Sequence, residues 1–233
     1  MKNNKKKIVK EVFDSVFERY DIMNDLMSFG IHRIWKKTAI NNCNIKNNDI
    51  ILDLACGTGD LTKIMIETRK NIQIVLADIN KNMLSFCKKR LYNLGYIKNL
   101  NFVQANAENL PFKKNTFNKV IIGFGLRNFN NIEKSIKCIN KILKKNGKLI
   151  ILEFSQPTNK IIKILYDMYS YNIIPNMGKI ICNDYVSYKY LVDSIKIHPN
   201  QIELNNLIKK NGFKYSNFKN LSNGIVSIHT AIK

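Results

Sequence analysis

The chain contains few residues of several types that would point to particular classes of protein. Its 233 residues include five cysteines, four prolines and one tryptophan, and only 17 acidic side chains against 38 lysines and arginines. The cysteines are widely scattered, at Cys43, Cys56, Cys87, Cys138 and Cys182. An odd, scattered set without a Cys-x-x-Cys pair argues against a disulfide framework. It also has no metal-like spacing to His32, His198 or His229, so we expect reduced thiols, a cytoplasmic location and no metal.

Long apolar runs are missing as well. No stretch approaches the roughly 20 apolar residues of a membrane span. The basic start of the chain, Met1 to Lys7, is not followed by the apolar core of an export signal. A hydrophobic fraction of 45% with 24% charged residues is typical of a globular protein. The sequence therefore predicts a soluble protein, and its length suits a single α/β domain.

The formal net charge of +21 allows two interpretations. A clustered basic surface would attract nucleic acid or an anionic membrane. The lysines are instead spread along the whole chain, as a general compositional bias would leave them. The bias is the favoured interpretation, and attraction to an anionic partner stays the alternative.

Five short apolar runs, rich in β-branched residues, predict strands that are buried on both faces. They are Ile50 to Ala55, Ile72 to Asp78, Asn101 to Ala105, Lys119 to Phe124 and Lys148 to Phe154. The clearest helix between them runs from Ile132 to Lys145, with Asn131 as its N-cap and Gly147 after its end. Strands that alternate with helices predict a doubly wound, mostly parallel sheet with right-handed crossovers.

The two ends of the chain add further elements. A helical region from Ile8 to about Asn42 is expected to cover either a sheet edge or the mouth of a ligand site. An aromatic-rich stretch from Ile161 to Tyr190 is expected to break at Pro175 and Gly178. A last helix from about Gln201 to Asn211 precedes two strands, Lys214 to Leu221 and Gly224 to Ile232, joined by the turn Ser222-Asn223. We divide this single domain into residues 1–45 (helical cover), 49–155 (core), 156–200 (lid region) and 201–233 (final helix and hairpin).

A glycine-rich turn, Asp53-Leu54-Ala55-Cys56-Gly57-Thr58-Gly59-Asp60, follows the first strand. Ligands of open parallel sheets bind beyond the carboxyl ends of the strands, and glycine lets a ligand approach the backbone closely. Asp78 ends the second strand, where a carboxylate can accept both ribose hydroxyls. The third glycine of the dinucleotide fingerprint is absent, at Thr62-Lys63. The pattern favours a nucleoside without phosphates over a nicotinamide cofactor, with a purely structural turn as the alternative.

Several longer segments carry a more specific resemblance. They are Tyr20 to Arg33 (YDIMNDLMSFGIHR), Gln104 to Phe112 (QANAENLPF), Phe124 to Asn128 (FGLRN), Leu152 to Ser155 (LEFS) and Asp184 to Tyr188 (DYVSY). With the glycine turn, these segments resemble the ubiquinone/menaquinone biosynthesis C-methyltransferase family, a branch of the class I S-adenosylmethionine-dependent methyltransferases. The resemblance covers nearly the whole chain, and FGLRN together with the first segment is its most discriminating part.

The resemblance implies a fold, a reaction and partners. The fold is a Rossmann-like methyltransferase sheet with a C-terminal antiparallel hairpin and an N-terminal helical cover. The reaction is transfer of a methyl group from S-adenosyl-L-methionine to a ring carbon of a polyprenylated benzoquinol, a demethylmenaquinol or both. A lipid-like quinol substrate implies peripheral contact with the inner face of the membrane, and no nucleic acid is expected. The oligomeric state stays open between a homodimer, a quinone-biosynthesis complex and neither.

The resemblance also implies cofactor-binding residues. They are Asp53, Gly57, Thr58, Gly59, Asp78, Asn106, Ala107 and Gly123. Thr58 is expected at the methionine end, Asp78 at the ribose, and Asn106 with Ala107 beside the adenine. Gly123 departs from a serine that is frequent in related sequences, which puts that contact in doubt. Cys56 replaces a common glycine, which is tolerable where its φ is negative.

Arg127 and Asn128 are the predicted catalytic residues. A phenol becomes a carbon nucleophile when its hydroxyl loses a proton, and these two side chains could stabilise the phenolate or orient a water that takes the proton. The alternative for Arg127 is an ion pair that holds the loop. Tyr20, His32 and Tyr169 are the predicted substrate-binding residues, with packing and capping as their alternatives.

An apolar stripe could line a channel for the polyprenyl tail, or be plain core. It consists of Ile161, Ile164, Leu165, Met168, Tyr169, Tyr171, Ile173 and Ile174. Two other functions remain open at this point. One is a quinol O-methyltransferase of the same pathway, and the other is an RNA-binding or RNA-modifying protein, which the charge alone suggests.

Overall fold

A seven-stranded mixed sheet forms the centre of the protein. The computed structural model describes residues 12, 20–69 and 71–233, except for the side chains of Tyr20 and Asp21. The strands lie in the order β3-β2-β1-β4-β5-β7-β6. The first five pair in parallel, and β7 pairs antiparallel with both β5 and β6. This topology confirms the predicted fold class, including the C-terminal hairpin.

The strands agree with the predicted runs to within a few residues, except at the start of β5. They are β1 (Ile50–Leu54), β2 (Gln73–Asp78), β3 (Leu100–Gln104), β4 (Phe117–Gly123), β5 (Leu143–Phe154), β6 (Tyr215–Leu221) and β7 (Val226–Ile232). Between β6 and β7 the chain turns through a short 3-10 helix, Ser222–Gly224, in which Ser222 and Asn223 both have positive φ. The predicted turn at Ser222-Asn223 is confirmed.

The helices of the described residues are α1 (Tyr20–Ser28), α2 (Ile31–Cys43), α3 (Asp60–Thr68), α4 (Lys81–Asn93), α5 (Ile132–Ile142), α6 (Lys160–Asn172), α7 (Ile174–Cys182), α8 (Tyr185–Ile197) and α9 (Gln201–Lys210). A one-turn 3-10 helix, Leu126–Asn128, follows β4. Asn131 caps α5 by accepting a hydrogen bond from the backbone N–H of Lys134, as predicted. No helix in this part of the chain is both long and apolar enough to cross a membrane.

The hydrophobic core lies on both faces of the sheet because neighbouring residues of a strand point in opposite directions. One face buries Ile51, Ile121 and Ile150 under α2, α3 and α4. The other buries Leu52, Ile122 and Ile151 under α5 and α9. Burial on both faces explains why these strands have continuous apolar runs rather than alternating ones.

From Tyr20 onward, the N-terminal cover consists of two helices rather than one continuous helical region. Phe29 and Gly30 both adopt positive φ and separate α1 from α2. Trp35, Ala39 and Ile40 bury one side of α2 against the sheet. Residues of α2 also line the cavities described below, as expected for a cover over the mouth of a ligand site. The remaining positions of the expected helix, 8–11 and 13–19, lie outside the described residues.

Two boundary predictions are wrong. The helix expected to reach Lys145 ends at Ile142, and Leu143 already pairs with Phe117 of β4, so Gly147 lies inside β5. Gly178 does not break a helix either: it lies within α7. A Cβ atom on Gly178 would lie 2.1 Å from a ring carbon of Tyr188, so the glycine serves the close packing of α7 against α8.

The apolar stripe that begins on α6 forms neither a channel nor plain core at most of its positions. Ile161, Ile164, Leu165 and Met168 are exposed, as are Tyr171 and Ile173. Tyr169 and Ile174 line the cavity under the N-terminal cover, and Tyr171 lines a separate one. Helical spacing identifies one face of a helix but does not tell whether that face meets the core or the solvent.

Candidate active site

The glycine turn after β1 has a strained backbone. Ala55, Gly57 and Gly59 all have positive φ, and so does Phe124 at the end of the neighbouring strand β4. Positive φ is costly for residues with a side chain and persists where the surrounding structure demands it, commonly at ligand sites. A Cβ atom on Gly125 would lie 2.7 Å from the Cβ of Ala55, so this glycine lets the two strand ends touch.

The two glycines of the turn have different roles. A Cβ atom on Gly57 would meet only the terminal methyl of Met83, at 3.6 Å, and Gly57 lines the cavity at the strand ends that is described next. Gly59 does not line it. A Cβ atom on Gly59 would lie 2.6 Å from the Sγ of Cys87, so Gly59 serves packing of the turn on α4. Cys56 keeps a negative φ, which is the condition under which it can replace glycine.

A cavity of about 540 Å³ opens at the carboxyl ends of β1 to β4, and we call it the strand-end cavity. It brings together seven of the eight predicted cofactor-binding residues: Asp53, Gly57, Thr58, Asp78, Asn106, Ala107 and Gly123. Several lining residues were not predicted, among them Lys36, Asp60, Leu61 and Met83. A Cβ atom on Gly123 would lie 2.6 Å from a methyl of Leu61. Leu61 therefore occupies the space that the serine side chain frequent at this position in related sequences would need.

Buried carboxylates form one wall of the strand-end cavity. Asp78 is 8% exposed and accepts hydrogen bonds from the backbone N–H groups of Gly57 (3.0 Å) and Asn80 (2.9 Å). Burial raises the pKa of Asp78. Asp53 accepts a hydrogen bond from the Thr62 hydroxyl at 2.7 Å, and burial raises its pKa to about 7. A carboxylate oxygen can accept more than one hydrogen bond, so Asp78 retains capacity for a ligand hydroxyl.

A charged cluster joins α2 to the glycine turn. Asp60, the first residue of α3, pairs with Lys36 of α2 at 2.5 Å and with Arg90 of α4 at 2.7 Å. Burial opposes ionisation of Asp60, but the two cations prevail and lower its pKa to about 2. Arg90 also donates to the carbonyl oxygen of Thr58 at 3.0 Å. The cluster carries one net positive charge beside Thr58.

A second cavity, of about 270 Å³, lies under the N-terminal cover, and we call it the apolar cavity. Its walls include Met23, Met27, Trp35, Phe154, Tyr166, Tyr169, Ile174, Tyr188, Tyr190 and Leu191. The predicted residues His32, Arg127, Asn128 and Tyr169 also line it. Lys36, Phe124 and Asn128 line both cavities, so the two adjoin. The side chain of Tyr20, the remaining predicted residue, lies outside the described residues.

Arg127 forms a buried ion pair at the wall of the apolar cavity. Its guanidinium is 2.9 Å from a carboxylate oxygen of Glu153, which is 0% exposed, and its backbone N–H donates to the other oxygen at 3.1 Å. It also donates to the carbonyl oxygen of Phe124 and lies 5.4 Å from the ring centre of Phe154. The ion pair that we gave as the alternative for Arg127 is therefore present.

Asn128 and Tyr169 are held by hydrogen bonds between elements. The hydroxyl of Tyr190 on α8 donates to the side-chain oxygen of Asn128 at 3.2 Å. The hydroxyl of Tyr169 on α6 donates to the carbonyl oxygen of Met27 at 3.1 Å. Tyr166 lies one helical turn before Tyr169, and Lys36 one turn after His32. The spacing of three or four residues was a signal by which both could have been found.

Comparison with known proteins agrees with this geometry. A family model described as the ubiE/COQ5 methyltransferase family matches residues 1–233. A relative from Wigglesworthia glossinidia brevipalpis, named "Ubiquinone/menaquinone biosynthesis C-methyltransferase UbiE", is 49% identical over 234 residues, which cover 100% of this chain and 93% of that protein. A relative of the same name from Blochmanniella floridana is 50% identical over 227 residues, covering 97% and 89%.

Solved structures share the fold at low identity. A methyltransferase from Thermotoga maritima, described as a possible histamine N-methyltransferase, has a TM-score of 0.65 at 17% identity, with 96% of this chain and 99% of that chain covered. A phosphoethanolamine N-methyltransferase from Haemonchus contortus, in complex with S-adenosyl-L-methionine, has a TM-score of 0.63 at 14% identity, covering 85% and 52%. Because the family model matches the whole chain and the curated relatives are about half identical to it, the chain belongs to the ubiE/COQ5 methyltransferase family of S-adenosylmethionine-dependent enzymes.

Proposed function

We propose that the protein transfers the methyl group of S-adenosylmethionine to a ring carbon of a polyprenylated quinol. One observation carries the proposal: the strand-end cavity, which has buried carboxylates in its wall, adjoins the apolar cavity, and the two share Lys36, Phe124 and Asn128. The strand-end cavity suits a nucleoside, because its carboxylates can accept hydrogen bonds from hydroxyl groups, and the apolar cavity suits an aromatic ring with an apolar tail. The shared wall is where a methyl group would pass from one to the other.

The residues present fit the cofactor. Asp78 offers a carboxylate to the ribose hydroxyls, and Asn106 with Ala107 lies beside the expected adenine. Gly57 leaves its backbone open to the ligand. The positive charge of the Lys36–Asp60–Arg90 cluster next to Thr58 suits the methionine carboxylate. When bound, the cofactor supplies a methyl group that its sulfonium already activates, so the protein has to align the acceptor carbon and raise its electron density.

The apolar cavity supplies the groups that act on the quinol. Asn128 lies at the shared wall, where its amide can hold a quinol oxygen. Arg127 can stabilise negative charge on that oxygen, although its pairing with Glu153 also gives it a structural role. Tyr169, held by its bond to Met27, limits the space for the ring. Substrate roles for Tyr20 and His32 remain predictions.

Membrane contact is the second part of the proposal. The quinol substrate is a lipid, and α6, which lines the apolar cavity through Tyr166 and Tyr169, carries exposed Ile161, Ile164, Leu165 and Met168 on other positions of the same helix. Lys160 and Lys163 flank these side chains. An exposed apolar face with neighbouring lysines favours the surface of an anionic bilayer.

The reaction is tested with purified protein, S-adenosylmethionine and two short-chain quinols kept reduced: a demethylnaphthoquinol and a benzoquinol that lacks the ring methyl. We expect a product that has gained one methyl group and lost one ring proton in its NMR spectrum, with both hydroxyls free. A methyl ether that keeps the ring proton would contradict the proposal and support the O-methyltransferase alternative. The relative rates with the two quinols decide between the benzoquinol and naphthoquinol substrates.

The alternatives that the sequence left open are less well supported. The relatives that match over nearly the whole chain are named C-methyltransferases, which favours ring-carbon transfer over O-methylation. Membership of a methyltransferase family likewise disfavours a nicotinamide-dependent enzyme and an RNA-binding protein. Filter binding to RNA across a salt series checks the RNA alternative independently of the methylation assay.

A further inference from the structure

The turn between α1 and α2 builds an Asp–His pair at the apolar cavity. The Nε2 atom of His32 lies 2.8 Å from a carboxylate oxygen of Asp25. The positive φ values at Phe29 and Gly30 reverse the chain, and the backbone N–H of Gly30 donates to the carbonyl oxygen of Asp25 at 2.8 Å. The turn in the YDIMNDLMSFGIHR segment therefore brings two residues that are seven positions apart into contact.

Asp25 is itself fixed in place. Arg33 donates two hydrogen bonds to it, from Nε to Oδ1 at 2.8 Å and from a terminal nitrogen to Oδ2 at 2.6 Å. The Arg33 bonds lower the pKa of Asp25 well below its usual range, so Asp25 stays a carboxylate. A carboxylate that accepts from one ring nitrogen of a histidine selects the tautomer in which the other nitrogen is the acceptor.

The other ring nitrogen of His32, Nδ1, is buried and has no hydrogen-bond partner among the described residues. A buried polar atom without a partner is unusual and asks for an explanation. His32 is 7% exposed and lines the apolar cavity. A hydroxyl group of a ligand in that cavity, directly or through one water, would supply the missing partner.

Other described residues of the cavity wall are poor proton acceptors. Lys36 and Arg127 are cations engaged in ion pairs with Asp60 and Glu153. Burial raises the pKa of Tyr166 to about 12 and raises that of Tyr169 and Tyr190, so these phenols keep their protons. No carboxylate is among the lining residues of the described chain. The imidazole of His32 is thus the described lining group best suited to accept a proton near neutral pH.

The charges around His32 set its protonation state. Desolvation by burial, followed by the positive charge of Lys36, lowers the pKa of His32, while the hydrogen bond and charge of Asp25 and the charge of Asp60 act in the opposite direction. The net lowering keeps the imidazole neutral at pH 7. A neutral imidazole beside a fixed carboxylate can take up a proton and have the resulting cation stabilised.

We infer that His32 is the general base of the methylation and that Asp25 positions it. The inference rests on the proposed function, since it concerns the quinol of that reaction. His32 takes the hydroxyl proton of the quinol, and the electron pair of the broken O–H bond stays on oxygen and is delocalised to the ring carbon. That carbon forms the new C–C bond as the C–S bond of the sulfonium breaks, releasing S-adenosylhomocysteine. The ring carbon then loses its own proton, the hydroxyl is restored, and one proton in total passes to water.

The test compares His32→Gln with the wild-type enzyme, because glutamine can keep a hydrogen bond to Asp25 but cannot take up the proton. Loss of a general base is expected to lower kcat by about 10²-fold or more, with little change in the affinity for S-adenosylhomocysteine. His198→Gln is the matched control, since His198 is also 7% exposed but does not line the apolar cavity. It should keep the wild-type rate.

The pH dependence separates a base from a packing residue. In the wild type, kcat should rise with pH through one ionisation below the ordinary histidine pKa of about 6.5 and then level off. His32→Gln should lose that ionisation. Asp25→Asn removes a group that raises the pKa of His32, so the midpoint of the rise should move to lower pH and the plateau should fall. Imidazole added to His32→Ala should restore part of the rate.

Two results would overturn the inference without touching the proposed function. One is wild-type methylation of the quinol together with a His32→Gln variant that keeps both kcat and the acid-side ionisation. The other, which decides the matter if neither His32 variant binds S-adenosylhomocysteine, is an Asp25→Asn variant whose pH midpoint and plateau match the wild type. If the wild type itself fails to methylate the quinol, the proposed function fails first.

Discussion

Several buried carboxylates of this protein lie at the carboxyl ends of parallel strands. Asp53, Asp78 and Glu153 are all less than 10% exposed and lie at or next to the carboxyl ends of β1, β2 and β5. Burying a charge is costly unless hydrogen bonds or a partner compensate for it. Each of these carboxylates has such partners, which explains how they stay in place before a ligand arrives.

Asp78 is expected to contribute strongly to cofactor affinity. Asp78→Asn keeps the shape and one carbonyl-type acceptor for Gly57 or Asn80 but removes the charge. Hydrogen bonds to a charged group contribute about 1.5–3 kcal/mol, so we expect affinity for S-adenosylhomocysteine to fall by at least about tenfold. Isothermal titration calorimetry measures this, with Glu67→Gln on the exposed surface of α3 as the control. An unchanged affinity would place the ribose away from Asp78.

Arg127 calls for a test that separates chemistry from stability. Arg127→Ala leaves Glu153 buried without its partner, which costs about 3–5 kcal/mol of folding free energy. In the double variant Arg127→Ala/Glu153→Gln the unpaired charge is gone, so denaturant unfolding should show most of that stability recovered. If Arg127 stabilises the phenolate, turnover of the double variant should stay low while its cofactor affinity is near normal. If the double variant recovers turnover as well as stability, Arg127 has no role in catalysis and serves only as the partner of Glu153.

At the scale of the elements, the sequence predicts the parallel strands well and the cover poorly. The strands are readable because burial on both faces demands continuous β-branched runs such as Ile50 to Leu54. The break at Phe29 could not be predicted from the sequence. A bulky residue such as Phe29 adopts positive φ only where contacts from the rest of the fold stabilise that conformation. The exposed face of α6 was misassigned for a related reason: periodicity gives a face but not its surroundings.

The candidate site divides in the same way. The strand-end residues were found because a topology of parallel strands brings their carboxyl ends together. Lys36 was missed, since an isolated lysine on a helix is ordinarily a solvated charge. The pairing of His32 with Asp25 was missed because it depends on the turn at Phe29 and Gly30, and the turn itself could not be predicted.

Lys36 links the cover to the cofactor site, and we expect it to bind the methionine carboxylate. Lys36→Met should weaken the binding of S-adenosylhomocysteine by at least about tenfold, as a lost charge-assisted hydrogen bond would. Binding of 5′-methylthioadenosine, which lacks the amino-acid group, should be unaffected. Lys37→Met, one residue further on the exposed side of α2, is the matched control. Equal weakening of both ligands by Lys36→Met would mean that Lys36 acts only through Asp60 and the fold.

The whole molecule combines a high positive net charge with an exposed apolar face on α6. Neither feature by itself would indicate a function. The lysines are spread over the chain, which fits a compositional bias. Scattered exposed apolar side chains are likewise normal on protein surfaces. Their combination on α6, next to Tyr166 and Tyr169 of the apolar cavity, is what favours a bilayer surface from which a lipid quinol could enter.

Binding to vesicles decides whether that combination is functional. Sedimentation with anionic vesicles should carry the wild-type protein down at low salt, and neutral vesicles or high salt should reduce the bound fraction, because exposed charges are screened. Burying one isoleucine or leucine side chain contributes about 1.5–3 kcal/mol, so Ile164→Ser/Leu165→Ser should weaken binding by at least about tenfold. Ile202→Ser on α9 is the control, since Ile202 is as exposed (61%) as Ile164 (60%) and Leu165 (61%). If Ile202→Ser weakens binding as much as Ile164→Ser/Leu165→Ser does, or if neutral vesicles bind equally well, α6 is not a membrane-binding surface and the net charge reflects composition alone.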